Sequence, residues 1–362
     1  MKIYRISFSD YSEIDQIIKV LGQLDIVEFA EKEPIYKIDF IPNDTYYAGA
    51  YKWYHTLVGS EQAWDISLGS NSVKIAIVDN AIYTGHQELT TIKQYDVADN
   101  DAITTPPLDV NADLEWSHGT HTSGLATADI NNNKGIASLG GNVELIAVKA
   151  TQNSGSPANI LYSYDGVQWA CENGANVVNM SYGGNSSSAS FQILVNSYPG
   201  VVFIAAAGIN GNTTLQYPGA YDNVICVGSV DGNDVRSGFS NYNGTTPYVD
   251  ISAPGGYTNG GLISSVYTAS GNTYGQMGGT SMSAPFAAGL VGLMLSVNPT
   301  LTPSQIETCL ISSGENINQG IGPRINAFAA MQCVQASLTG DPFVNFWGAP
   351  VSIYEGQTVT FY

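Results

Sequence analysis

The chain has 362 residues and a mass of 38.4 kDa, which is enough to bury a large hydrophobic core and favours two or more domains. Hydrophobic residues make up 44% of the sequence and charged residues only 12%, a composition that excludes a disordered, charge-rich chain. The net charge of −19 argues against binding nucleic acid through its phosphates and against docking on anionic membranes.

The first 45 residues are predicted to form a small β-α-β unit. Residues 2–8 and 35–41 alternate between apolar and polar side chains as strands do, and residues 13–24 place their apolar side chains on one helical face. A unit of this size buries little surface alone, so we expect it to pack on the next domain of the chain. The residues after Met1 show no apolar region typical of a signal peptide.

Residues 46–338 are predicted to form one α/β domain. Short runs rich in valine and isoleucine alternate with helical patterns, at residues 73–78, 145–148, 177–180, 201–206 and 224–227. Their continuous apolarity indicates strands buried on both faces, and hence a mainly parallel central sheet covered by helices. In such sheets the functional residues lie beyond the carboxyl ends of the strands.

Residues 339–362 change in character and are predicted to contain a linker followed by a β segment. Residues 351–362 alternate like an antiparallel strand. This pattern indicates either the start of a second, β-sandwich-like domain or a simple terminal strand.

Three segments carry side chains suited to nucleophilic catalysis. Asp79 directly follows the first buried strand, His118 is placed to open a small apolar helix, and Ser281 lies just before the apolar helical stretch 286–297. Each has an ordinary alternative: a turn-capping aspartate, a structural or metal-binding histidine paired with His121, and a serine N-cap. Together they suit serine chemistry, because a serine hydroxyl becomes a good nucleophile only when a neighbouring base takes its proton.

An oxyanion needs at least two donors. The backbone N–H of Ser281, at a helix amino terminus, is one candidate. The second is expected in the loop after Gly208, where Ile209 and Asn210 stand.

These segments together resemble the subtilisin-like serine peptidases of the subtilase family, in which the catalytic residues occur in the order Asp, His, Ser. The resemblance spans residues 53–333 and depends on the motifs at 118–124 and 279–285. It implies a subtilisin-like three-layer α/β fold and a serine endopeptidase that forms an acyl-enzyme on Ser281. The alternative is a weak or inactive relative that binds peptides without cutting them. An α/β-hydrolase esterase is disfavoured, because Ser281 lacks the Gly-x-Ser-x-Gly elbow.

The same resemblance assigns further roles. Substrate binding falls to an edge segment made of Ser181, Tyr182 and Gly183, and to a pocket wall made of Ala206, Ala207 and Gly208. The resemblance also implies a cis bond before Pro218, and it makes residues 1–45 an inhibitory pro-segment. The enzyme is expected to act as a secreted or cell-surface monomer on protein and peptide substrates.

The chain departs from the family pattern at two positions. Asn80 replaces the usual serine or threonine after the aspartate, and it still offers hydrogen bonds to that carboxylate. Ile209 replaces the usual oxyanion asparagine. We therefore expect Asn210, one position later, to supply the second oxyanion donor.

Calcium is expected from the resemblance, with Glu88, Asn131, Asn132 and Asn133 forming one site. Residues 96–115 are predicted to form an acidic loop, which contains Asp96, Asp99, Asp101, Asp109, Asp113 and Glu115. These carboxylates are further calcium ligands, a solvated acidic surface, or a field that favours basic substrates. Cys309 and Cys333 lie on two helical stretches and could pair, whereas Cys171 and Cys226 read as core residues.

Overall fold

The computed structural model describes residues 4–6, 14–32, 40–107, 114–268, 271–339 and 359–361. Its strands are β1 (Tyr4–Ile6), β2 (Lys74–Asp79), β3 (Thr91–Asp96), β4 (Glu144–Lys149), β5 (Val177–Met180), β6 (Val202–Ala206), β7 (Val224–Val230), β8 (Ile251–Pro254), β9 (Leu262–Thr268), β10 (Gly271–Met277) and β11 (Val359–Phe361). Its helices are α1 (Ile14–Leu21), α2 (Trp53–Val58), α3 (Ser60–Trp64), α4 (His118–Thr127), α5 (Ser163–Glu172), α6 (Ala189–Asn196), α7 (Thr280–Val297), α8 (Pro303–Ser313) and α9 (Ala327–Thr339).

The chain divides into two compact units. The smaller unit comprises Met1–Asp39 and Val344–Tyr362, and the larger one comprises Phe40–Phe343. The larger unit thus begins ahead of residue 46, where the sequence pattern places the start of the α/β domain.

In the smaller unit, β1 pairs antiparallel with β11, and the buried Ile14 of α1 packs against Ile17, Ile18 and Leu21. Helix α1 lies within residues 13–24, where the sequence predicts a helix with one apolar face. Most of the strand predicted at residues 35–41, and most of the β segment predicted at residues 351–362, lie outside the described residues.

A seven-stranded sheet forms the centre of the larger unit, in the order β3-β4-β2-β5-β6-β7-β8. All its strand pairs are parallel. The five apolar runs of the sequence all form strands of this sheet, so the predicted parallel α/β architecture is confirmed. The edge strand β3, the strand β8 and the antiparallel hairpin β9–β10 were not predicted.

The sheet is apolar on both faces because helices cover both. Along β2, Ile75 and Ile77 belong to the core that includes α7, while Ala76 and Val78 belong to the core that includes α5 and α6. All four side chains are fully buried, which is why β2 reads as a continuous apolar run rather than as an alternating one.

Helix α7 is the longest element of the larger unit and runs through its core. Among the described residues it is the one helix long and apolar enough to cross a bilayer, but 83% of its length is buried inside the protein. A disulfide between Cys309 and Cys333 joins α8 to α9, the two helices that follow α7 in the chain, as the sequence suggested. Cys171 and Cys226 are free and buried, as expected.

Candidate active site

Asp79 is the last residue of β2 and is 1% exposed. Its carboxylate accepts hydrogen bonds from the backbone N–H of Asn80 at 2.7 Å and from the Thr122 hydroxyl at 3.2 Å. The Asn80 side chain instead donates to the carbonyl oxygens of Glu115 and Pro157. Asn80 therefore binds the carboxylate through its backbone, while its amide fixes the loop around the site.

His118 is the first residue of α4, and its Nδ1 lies 2.8 and 3.0 Å from the two carboxylate oxygens of Asp79. Gly119 permits this approach, because a Cβ there would lie 2.4 Å from the Ala81 carbonyl oxygen and 2.8 Å from Asp79 Cβ. Burial disfavours protonation of the imidazole, but the charge and hydrogen bond of Asp79 more than offset it. The pKa of His118 is therefore raised above its ordinary value.

Ser281 is the second residue of α7, and its position is fixed by an unusual exchange of hydrogen bonds. The helix contains Pro285, which has no N–H to bond the Ser281 carbonyl four residues earlier. The Ser181 hydroxyl donates to that carbonyl instead, at 2.8 Å. In return, the Ser281 hydroxyl donates to the Ser181 carbonyl oxygen at 3.0 Å. Because Pro285 has no N–H, the Ser281 carbonyl oxygen remains free to accept from Ser181. This hydrogen bond ties Ser281 to the segment that contains Ser181.

Asp79, His118 and Ser281 line one cleft with a volume of about 790 Å³. The cleft also contains Ser181, Tyr182, Gly183, Ala206, Gly208 and Asn210. Ala207 is fully buried in the core beneath it, where its carbonyl oxygen accepts from the Tyr248 hydroxyl. The structure therefore brings together every predicted catalytic and binding residue except Ala207.

The loop after β6 places Ile209 and the predicted oxyanion donor Asn210 in the cleft. Ile209 is 61% exposed, and its Cγ2 lies 3.9 Å from where a Cβ on Gly279 would be, next to the turn before Ser281. Asn210 is exposed, and its backbone N–H donates to the Asn241 side chain at 2.9 Å. That backbone hydrogen bond anchors the loop, and Asn210 is among the residues that line the cleft.

The peptide bond between Tyr217 and Pro218 is cis, as predicted. Tyr217 pairs with Gly184 through two backbone hydrogen bonds of 2.8 Å. This pairing holds residues 216–218 against residues 183 and 184, and both segments line the cleft.

His118 and His121 do not form a metal pair. The Nε2 of His121 lies 3.0 Å from the Leu262 carbonyl oxygen, whereas His118 faces Asp79. Burial, together with the positive charge of a protonated His118, lowers the pKa of His121 to about 3. His121 is therefore a neutral core residue.

Glu88 and the loop at Asn131, Asn132 and Asn133 lie together, as predicted for a calcium site. The fully buried Glu88 carboxylate accepts from the Tyr274 hydroxyl at 2.5 Å and from the Asn132 amide at 3.1 Å. Asp44, missed from the sequence, accepts from the backbone N–H groups of Asn131 and Asn132. Within the part of the chain that is described, no three histidine, cysteine or acidic side chains gather as a metal site.

Part of the acidic loop has a structural role. Asp96 forms a fully buried ion pair with Lys149, and Asp99 lies 3.2 Å from the same ammonium group. Asp101 accepts from the backbone N–H of Ile103. These contacts rule out a purely solvated surface for Asp96; Asp109 and Asp113 lie outside the described residues.

Two contributors to the site were not found from the sequence. Thr122 lies one helical turn after His118, so the spacing was a usable signal for its contact with Asp79. Gln216 lines the cleft from a loop and gives no local signal.

Comparison with known proteins agrees with this fold. The sequence profile described as the subtilase family matches residues 70–326. The thermophilic serine proteinase of Bacillus sp. (strain AK1) is 38% identical over 287 residues, which cover 78% of this chain and 67% of that protein. Thermitase of Thermoactinomyces vulgaris is 36% identical over 302 residues, which cover 81% of this chain and 100% of thermitase.

Among solved structures, a protease of Pseudoalteromonas arctica PAMC 21717 aligns with a TM-score of 0.70 and 28% identity, covering 82% of this chain and 100% of that one. The fold and these relatives are those of a serine endopeptidase. The chain belongs to the subtilase family. No observation favours the alternative of an inactive peptide-binding relative.

Proposed function

We propose that this subtilase cleaves peptide bonds through an acyl-enzyme on Ser281, with His118 as general base and acid and Asp79 as the residue that orients and stabilises the imidazole. The observation that carries the assignment is the shared cleft, which is lined by an imidazole held by a buried carboxylate and by a serine at a helix amino terminus. The three elements that supply them, β2, α4 and α7, belong to one core.

The proposed reaction begins with rotation of the Ser281 hydroxyl from the Ser181 carbonyl oxygen toward Nε2 of His118. The hydrogen bond between a nucleophile and its base is often long or poorly aligned before substrate binds. Ser281 Oγ then attacks the scissile carbonyl carbon while His118 takes its proton. When the tetrahedral intermediate collapses, His118 gives that proton to the leaving amine. Water then attacks the acyl-enzyme carbonyl while His118 takes its proton. His118 returns that proton to Ser281 Oγ as the acyl group leaves.

The developing oxyanion is held by the backbone N–H of Ser281 and by the Asn210 side chain. The amino terminus of α7 adds a favourable field at the same point. Support for Asn210 is its exposed position in the cleft, on a loop anchored through Asn241. Each such donor contributes on the order of 10²–10³ in rate.

The substrate backbone is proposed to pair with Ser181, Tyr182 and Gly183 as an added strand. Main-chain pairing of this kind provides affinity that depends little on sequence. The side chain before the scissile bond, the P1 side chain, would enter the pocket walled by Ala206 and Gly208.

The segment ahead of Asn43, which makes up most of residues 1–45, is proposed to act as a pro-segment that inhibits the enzyme until it is removed. The separate compact unit formed by Met1–Asp39 with Val344–Tyr362 is consistent with a removable first segment. Residues beyond that point are tied into the larger unit, because Asn43 and Asp44 bond the loop at Asn131 and Asn132. The cut is therefore proposed to fall ahead of Asn43.

Calcium is proposed to bind at Glu88 and the loop Asn131, Asn132 and Asn133, with Asp44 as an added ligand. Burial raises the pKa of Asp44, and the nearby charge of Glu88 adds to the rise. Two buried carboxylates that repel each other fit a hard divalent cation, which prefers oxygen ligands. Calcium there would stabilise the fold and would take no part in the bond-breaking steps.

Secretion or display at the cell surface is proposed for this enzyme. The disulfide between Cys309 and Cys333 supports an oxidising compartment.

The proposed function is tested by hydrolysis of an internally quenched peptide. The protein is expressed as the full chain, and mass spectrometry first shows that the segment ahead of Asn43 has been removed. Wild type should cleave the peptide and Ser281→Ala should lose at least 10³-fold in rate. Ser197→Ala, which removes an exposed hydroxyl on the surface, should match wild type. A Ser281→Ala protein purified free of other proteases and as active as wild type contradicts the assignment.

A further inference from the structure

A polar side chain lies between two isoleucines near the centre of the sheet. Asn179, the third residue of β5, pairs in register with Ile77 of β2 and Ile204 of β6, and it is fully buried. Both isoleucines belong to the core that includes α7, and so does Val177, which shares a face of β5 with Asn179. Asn179 therefore lies on the face of the sheet that α7 covers.

The amide of Asn179 is only half used by the protein groups that the structure describes. Its Nδ2 donates to the Ser181 hydroxyl oxygen at 2.9 Å, whereas its Oδ1 bonds none of those groups. A buried acceptor without a protein partner lowers stability, and an apolar side chain of similar shape would avoid that cost. Folding alone therefore does not explain an asparagine at this position.

The hydroxyl that accepts from Asn179 is the one that holds the backbone of the proposed nucleophile. Ser181 has one hydroxyl proton, which it donates to the Ser281 carbonyl oxygen at 2.8 Å. The lone pairs of the same hydroxyl oxygen then remain for the Nδ2 of Asn179. The three residues thus form a chain of hydrogen bonds that all run in one direction, from Asn179 to Ser281, and bonds arranged in this way strengthen one another.

We propose that Asn179 is a positioning residue for the nucleophile. Its amide fixes the orientation of the Ser181 hydroxyl, and this hydroxyl replaces the donor that Pro285 lacks and so fixes the backbone of Ser281. This inference rests on the proposed function. A displacement of about 1 Å in a reacting group can lower a rate by about 10²-fold, so a buried contact behind the nucleophile affects the reaction without touching the substrate.

The test measures kcat and KM for an internally quenched peptide, together with the melting temperature in the Ser281→Ala background. Asn179→Leu keeps the size of the side chain and removes the amide. It should lower kcat by about tenfold and leave KM within about twofold of wild type. Its melting temperature should equal or exceed that of its parent, because the unpaired oxygen is gone.

Two controls separate positioning from other effects. The acidic limb of the pH–rate profile should not move in Asn179→Leu, because the contact between Asp79 and His118 is untouched. Asn196→Leu makes the same change at an exposed position of α6 and should leave kcat as in wild type.

A double-mutant cycle shows whether Asn179 acts through Ser181. Ser181→Ala removes the hydroxyl between the amide and the Ser281 carbonyl and should lower kcat by about 10–100-fold. Adding Asn179→Leu to Ser181→Ala should then lower kcat by no more than about a further twofold. Asn179→Ala takes the place of the leucine variant in the cycle if that variant does not fold. Active-site titration normalises every rate to the active fraction.

Three results would overturn this inference while leaving the peptidase assignment intact. They are a kcat within about twofold of wild type in the folded Asn179 variant, losses that multiply in the double variant, and a folded Asn179→Leu protein that loses both activity and stability. Failure of wild type to hydrolyse the peptide overturns the proposed function, and this inference with it.

Discussion

His118 Nδ1 lies 2.8 Å from Asp79 Oδ1, although the two residues are 39 positions apart in the chain. One ends β2 and the other begins α4, and Gly119 lets the helix approach the strand end. The contact sets the tautomer of the imidazole, because the carboxylate accepts the proton on Nδ1 and leaves Nε2 as the base.

The first prediction concerns pH. Because the pKa of His118 is raised, kcat/KM should begin to fall at a pH above that of an ordinary imidazole as the solution is made more acidic. Asp79→Asn removes the charge that raises this pKa, so the acidic limb should move to lower pH while kcat falls by about 10⁴. A pH–rate profile of each protein measures both effects. An acidic limb that stays in place in Asp79→Asn contradicts the pairing.

The second prediction concerns the oxyanion. Asn210→Ala should lower kcat by about 10²–10³ with little change in KM, because the lost donor acts mainly in the transition state. Asn233→Ala, on an exposed turn, is the matched control and should behave as wild type. A kcat for Asn210→Ala within threefold of wild type would show that another group supplies the second donor.

The third prediction concerns calcium. Adding a chelator should lower the melting temperature of the Ser281→Ala protein, a background that prevents self-digestion, and excess calcium should restore it. Glu88→Gln should reduce that calcium-dependent shift, whereas Glu172→Gln, on the exposed end of α5, should retain it. Identical melting curves with calcium and with chelator would refute the site.

The fourth prediction concerns stability at alkaline pH. Burial raises the pKa of Asp250 to about 6, and the charge of Glu307 adds to the effect although a hydrogen bond from Cys226 opposes it. The folded state binds this proton more tightly than the unfolded chain does. The contribution to stability is therefore complete below about pH 4 and is lost as the pH rises through about 6.

Asp250→Asn should accordingly be more stable than its parent at pH 8, by on the order of 1–3 kcal/mol, and nearly equal to it at pH 4. Urea unfolding in the Ser281→Ala background measures this difference, with the surface change Asp222→Asn as control. A destabilised Asp250→Asn protein at pH 8 would mean that the carboxylate contributes more through its hydrogen bond than it costs by burial.

The sequence predicted five strands of the sheet and the candidate catalytic residues that meet in the cleft, because both leave local signals. Strand β2 is buried on both faces and reads as an apolar run, and Asp79 follows it directly. The hairpin β9–β10 left no such signal. Its Ser264 and Ser265 are fully buried polar residues, and their hydroxyls donate to carbonyl oxygens of α4. A strand that buries serines for this purpose does not read as apolar.

Residues whose roles depend on tertiary contacts could not be predicted. Gln216 lies in an ordinary loop, and its place in the cleft arises only when Gly183 and Gly208 are brought next to it. The bond from Ser181 to the Ser281 carbonyl likewise depends on Pro285, which the motif displays but whose consequence appears only in the folded helix.

Covalent labelling tests whether Ser281 is the nucleophile. A fluorophosphonate probe should add to the mature wild-type protein in a one-to-one ratio, and peptide mapping by mass spectrometry should place the adduct on Ser281. Ser281→Ala should remain unlabelled, and His118→Ala should label far more slowly. Stoichiometric labelling of Ser281→Ala, or an adduct mapped to any other residue of wild type, would contradict the assignment of the nucleophile.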